Sequence, residues 1–139
     1  MTEAPSHREL LERGADAYNS GDADRWVEIW TTDCEWHPFL TARVEGDPGY
    51  HGHNGMRAWF EDSAEMFTEM HVELGQIREV KGRLLVFGQM TAIGRGSGAE
   101  VDSEVAWVFE PRGDLFRRGW AYTSHAEAER EAESLGEIA

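Results

Sequence analysis

The sequence predicts an α+β domain, and three observations carry that expectation. Helical amphipathic patterns fill the first half, and strand-like runs between short glycine-containing turns fill the second. The 139 residues hold no internal repeat and no linker-like stretch, so one domain over 1–139 is expected, with its core at about 6–124.

The first helix is predicted by Leu10, Leu11, Gly14, Ala15, Ala17 and Tyr18, which share a stripe opposite Glu9, Glu12, Arg13 and Asp16. Asn19-Ser20-Gly21 ends it. Asp22 is the expected cap of a second helix with Trp26, Val27, Ile29 and Trp30 on its buried face, closed by Thr31-Thr32-Asp33. CEWHPFL reads as a strand that Pro38 pushes to an edge or a bulge. Residues 45–53 read as a loop, and Asn54 as the cap of a third helix presenting Met56, Trp59, Phe60, Ser63 and Phe67. Strands are then expected at about 70–80, 83–94, 100–110 and 115–123, joined as consecutive hairpins. The polar helix at about 125–135, AEAEREAE at its centre, has almost no apolar face and is expected to fray or to pack only against a partner.

Composition excludes several classes. With 27 acidic against 13 basic residues, the net charge of −14 argues against nucleic-acid binding, which needs clustered Lys and Arg. A hydrophobic content of 40% argues against disorder. No apolar run approaches a membrane span and no leader pattern opens the chain, so a cytoplasmic protein is expected, with no membrane partner. Cys34 is the one cysteine; it cannot form an internal disulfide and reads as a buried, inert thiol.

Strand alternation sorts side chains by face. Val101, Ser103, Val105, Trp107 and Phe109 should face inward, and Glu100, Asp102, Glu104 and Glu110 outward. On the first strand Cys34, Trp36 and Pro38 form the apolar set opposite Glu35 and His37, unless a bulge near Pro38 exchanges the faces.

The segments AYNSGDADRWVEIWTTDCEWHP, YHGHNGMRAWF and GRGSGAEVDSEVAWVFEPRGDLFR, closing on WAYTSHAEA, resemble in their order the nuclear transport factor 2-like superfamily. Within it the chain is similar to SnoaL-like and ketosteroid isomerase-like proteins over about residues 6–132. The resemblance implies a cone-shaped α+β barrel, with three N-terminal helices packed on a curved, mostly antiparallel sheet. It also implies a homodimer formed through the sheet and a pocket put to varied uses, from isomerases, dehydratases, epoxide hydrolases and polyketide cyclases to non-catalytic binding modules. Ketosteroid isomerases carry a tyrosine, an aspartate and a second acid where this chain has Gly14, Pro38 and Val105. Steroid isomerisation by that apparatus is therefore not expected.

The expected ligand is a small apolar molecule, held without a cofactor or metal. His37 is the candidate acid–base group, since imidazole titrates near neutral pH; a structural histidine is the alternative. Tyr18 and Tyr50 are candidate hydrogen-bond donors, or else core tyrosines. Six tryptophans exceed what such a core needs, and Trp30, Trp36, Trp59 and Trp107 are expected to wall the pocket, with Ser103, Val105 and Tyr122. Asp102 and Glu104 share a strand face and read as a charged sheet surface with Arg117 or Arg118 as partners. His51-Gly52-His53 lacks further ligands for a metal and reads as a solvated loop. No helix follows the glycines of 94–98, so they serve a hairpin and not a phosphate.

Overall fold

The computed structural model describes residues 7–38 and 49–134. Helix α1 (His7–Ser20) buries Leu10, Leu11, Gly14 and Ala17, the stripe its sequence predicts. Helix α2 (Ala23–Val27) begins at Asp22, whose carboxylate accepts from the Arg25 amide at 3.1 Å. The second helix is shorter than expected, and Trp30 opens strand β1 (Trp30–His37) instead of closing the helix. The Phe116 amide donates to the Ile29 carbonyl at 2.9 Å and draws the chain into the sheet, so long-range pairing overrides the helical spacing.

Strand β2 (Tyr50–His51) leads into helix α3 (Gly52–Met66), which buries Met56, Trp59 and Ser63. Two expectations are corrected here. His51 occupies the cap position and no side chain caps the helix, so Asn54 lies inside the first turn. The loop expected through residue 53 ends sooner, and His53 sits on the helix with its ring Nε2 at 2.9 Å from the Trp30 carbonyl. The start of that loop, at 45–48, and the Phe39-Leu40 end of the expected first strand lie outside the described residues.

Four long strands follow: β3 (Phe67–Val80), β4 (Arg83–Gly94), β5 (Glu100–Arg112) and β6 (Leu115–Tyr122). The sheet order is β2-β1-β6-β5-β4-β3, antiparallel at every step except β1 beside β6. This is the expected α+β cone, built on a sheet that stays open. Lys81 and Gly82 join β3 to β4 with φ of 53° and 84°, a two-residue turn whose twist matches the strands it connects. Phe67 belongs to β3 and not to the helix.

The two sheet faces carry separate cores. Val86, Met90, Val105, Trp107, Phe109 and Phe116 face the helices, while Leu85, Ala106 and Val108 face the other way. The expected alternation holds on β5 from Val105 to Phe109 and on β1, where Cys34 and Trp36 are buried. The irregularity in β1 falls between Trp30 and Glu35, upstream of Pro38, and leaves those faces unexchanged.

Helix α4 (His125–Ser134) corrects another expectation. It lies on the outer face through Ala128 and Ala132, both fully buried against Leu85, Ala106 and Val108. Two alanines let the helix approach closely, and Arg78–Glu129 (2.8 Å) and Lys81–Glu133 (3.6 Å) flank the contact. Beside it, Arg83 and Glu110 are 1% and 4% exposed and bonded at 3.0 Å; Arg118 adds contacts of 2.6 and 2.9 Å to the same carboxylate. Arg117 turns to Glu35 at 3.0 Å. Neither arginine serves Asp102 or Glu104, because β6 pairs with β5 only from Ala106 onward. Those carboxylates instead meet Gln89 and His125.

Asn19 joins the helical layer to the sheet edge. Its side-chain amide donates to the Val72 carbonyl at 2.9 Å and accepts from the Val72 amide at 2.8 Å. Asn19→Ala is expected to cost about 1–2 kcal/mol, since two backbone groups lose partners; chemical denaturation measures it. Among the described residues no helix is long and apolar enough to cross a membrane.

Candidate functional site

The helices cannot lie flat on a twisted sheet, and the space left between the two layers is a cavity. From the helical side Leu11, Gly14, Tyr18, Trp26 and Trp59 close it. From the sheet side the wall is Trp36, Pro38, Met70, Val105, Trp107 and Phe109. The centre of a water-sized sphere can move through about 60 Å³ of it. The described lining contains no Asp, Glu, His, Lys or Arg. Apolar walls of this kind favour an uncharged, apolar occupant, because a charge would leave water without a compensating partner.

An open groove of about 760 Å³ on the same measure lies between the C-terminal ends of α1 and α3 and the adjoining ends of β3, β4 and β5. Tyr18 and Met70 line both spaces and form the partition between them. The Tyr18 hydroxyl donates to the Met70 sulfur and lies 3.3 Å from the Ser63 hydroxyl. Burial pushes its pKa up to about 12, partly offset by Ser63, so at neutral pH this phenol keeps its proton.

Gly14, Pro38 and Val105 all stand in the cavity wall. The positions matched to the isomerase acids thus converge on one space, and none supplies an acid or a base.

Of the residues expected at the site, Tyr18, Trp36, Trp59, Val105 and Trp107 line the cavity. Five others do not. His37 stacks on Trp120, with centroids 5.9 Å apart and planes at 13°, and Trp120 packs with the outer core. Tyr50 donates to the Asp62 carboxylate. Trp30 is buried behind Trp36 at 5.7 Å. The Ser103 hydroxyl donates to the Glu104 carbonyl at 2.9 Å, and Tyr122 packs with the outer core. Trp26, Phe109 and Met70 are wall residues that the sequence reading misses. Phe109 already stands in the inward alternation, and Trp26 on the buried helical stripe; nothing local marks Met70.

The tryptophans form a connected group. Trp26 lies 5.6 Å from Trp30 and 5.8 Å from Trp36, and Trp36 lies 6.3 Å from Trp59. All four are buried, and among the described residues none of their indole N–H groups meets an acceptor. Each such buried donor costs about 1–3 kcal/mol. Cys34 is fully buried, and desolvation pushes its thiol up to about 11, which makes it a packing residue and not a nucleophile.

The family model described as a SnoaL-like domain matches residues 11–119, the segment that builds the cavity. The chain belongs to the SnoaL-like domain family. No curated protein sequence matches this SnoaL-like chain. Among solved structures, Bal32a from a soil-derived mobile gene cassette is 26% identical to it, with a TM-score of 0.72 over 94% of this chain and 98% of that one. An NTF2-like protein from Burkholderia pseudomallei K96243 is 15% identical, with a TM-score of 0.74 over 88% and 94% of the two chains. A candidate SnoaL-like polyketide cyclase from Jannaschia sp. CCS1 is 15% identical, with a TM-score of 0.71 over 96% and 99%. The last two share the SnoaL-like chain's fold, and at that identity nothing further carries over.

Proposed function

We propose that this SnoaL-like protein binds a small, uncharged, apolar molecule in the cavity between its helices and its sheet. The observation that carries the proposal is the lining, aromatic and aliphatic throughout except for the Tyr18 hydroxyl and the indole N–H groups. Cofactor-free acid–base catalysis is less well supported by the same wall. Tyr18 is the described lining residue with an ionisable side chain, and a phenol held at about 12 can donate a hydrogen bond but is a poor base at pH 7.

Toluene titration tests the binding reading, followed by tryptophan emission and by the thermal midpoint. A saturable emission change and a raised midpoint are expected, as for any ligand that binds the native state alone. Ala121 lines the cavity, and Ala121→Leu should abolish both responses while the protein stays folded. A linear, non-saturating response that Ala121→Leu leaves unaltered would overturn the reading.

A further inference from the structure

We infer that the polar recognition element of this cavity is its set of indole N–H groups, centred on Trp36 with Trp26 and Trp59 beside it. The ligand class that follows is a neutral apolar molecule bearing a hydrogen-bond acceptor and no charge. This rests on the proposed binding reading and adds the chemistry by which the ligand is recognised.

Three observations converge. Trp26, Trp36 and Trp59 line the cavity and are 6%, 3% and 3% exposed. Among the described residues, the Nε1 atom of each is buried and meets no acceptor. The three rings are neighbours, with Trp36 5.8 Å from Trp26 and 6.3 Å from Trp59, so one small ligand can lie against more than one of them. Buried indole N–H groups usually find a partner, and a set of them around one apolar space selects for what it lacks.

An indole N–H donates and cannot accept, which fixes the sign of the complementary group. The Tyr18 hydroxyl does not compete for that role, because Met70 and Ser63 already engage it. An anion would also accept, but the described wall offers it no cation. A carbonyl or ether oxygen on an apolar frame meets every condition. The arrangement differs from a tyrosine-and-acid donor pair: it places no proton that can be transferred, so it orients a ligand oxygen without activating it.

Cyclohexanone and methylenecyclohexane have the same shape and differ in having an acceptor oxygen or a methylene. Both should be titrated into ¹⁵N-labelled protein, following the indole N–H resonances, assigned through Trp26→Phe, Trp36→Phe and Trp59→Phe. Cyclohexanone is expected to move the Trp36 resonance and at least one of the Trp26 and Trp59 resonances downfield. Trp36→Phe should weaken cyclohexanone about three- to tenfold relative to methylenecyclohexane, the worth of one neutral hydrogen bond. Cyclohexanecarboxylate should bind more weakly than either. If cyclohexanone binds with the indole resonances unmoved, or Trp36→Phe weakens both ligands equally, the inference falls and the apolar-binding proposal stands. If neither neutral ligand binds the folded wild-type protein, the binding proposal falls as well. The wild-type resonances decide the question even where a variant fails to fold.

Discussion

Glu110→Gln is expected to lower the free energy of unfolding by about 3–5 kcal/mol at neutral pH. The substitution keeps the size of the side chain and removes the charge that Arg83 and Arg118 share. Arg83 is 1% exposed, so its guanidinium would remain in the protein interior without its counter-ion. The same carboxylate gives the protein an acid-sensitive component. Hydrogen bonding from Arg118, then the charges of Arg118 and Arg83, hold the Glu110 pKa below its ordinary 4.5 against the opposing effect of burial. A carboxylate depressed on folding contributes its stability in full above the unfolded value and loses it as pH falls through the folded one. The gap between wild type and Glu110→Gln should therefore be constant above about pH 5 and should narrow below pH 4.5. Urea denaturation at several pH values measures both effects. A gap that persists unchanged at about pH 3 would mean that the substitution acts through packing and not through charge.

Gly88→Val is expected to cost about 3 kcal/mol, the upper part of the range for overpacking a filled core. Gly88 lies on β4 opposite Val105, and the Trp107 ring crosses directly above it. A Cβ at this position would come within 2.6 Å of Trp107 Cζ3 and would also meet the Glu73 carbonyl of the neighbouring strand. The ring could swing aside, but into the cavity it lines; the carbonyl belongs to paired backbone and cannot move without loosening β3. Gly88→Val should thus impair toluene binding beyond its effect on stability. Adding Trp107→Leu should restore part of the lost stability and not all of it, because the carbonyl conflict stays. Full restoration would show that the ring alone sets the constraint.

What could be read from the sequence was whatever depends on near neighbours along the chain. The α1 stripe, the Asp22 cap, the short turns and the alternation of Val105, Trp107 and Phe109 all follow from local spacing, and each is found in place. Trp30 shows the limit. Its position suits a helix face, yet the partner that decides its conformation is Phe116, distant in sequence. Helix α4 shows a second limit: Ala128 and Ala132 carry little hydrophobic signal, but small side chains are what a close helix–sheet contact requires. The site divides along the same line. Alternation places Trp36, Val105 and Trp107 correctly and puts His37 on the opposite face from them, but chemical versatility makes His37 a candidate nonetheless. Its neighbour is Trp120, and reactivity in principle says nothing about where a side chain points.

The link between Asn19 and Val72 bears on how the protein avoids sticking to copies of itself. An open sheet has two borders, and each exposes unpaired backbone groups that could recruit a strand from another molecule. One border here is β2, two residues long, which offers little template. The other is β3, fourteen residues long and long enough to seed edge-to-edge stacking. Asn19 occupies the outward amide and carbonyl of Val72 near its middle, mimicking the strand that would otherwise add there. Glu69, His71, Glu73, Arg78 and Glu79 lie exposed along the same strand and surround that plug with charge. One amide side chain therefore fastens a helix and also keeps a long sheet border from serving as a template for aggregation.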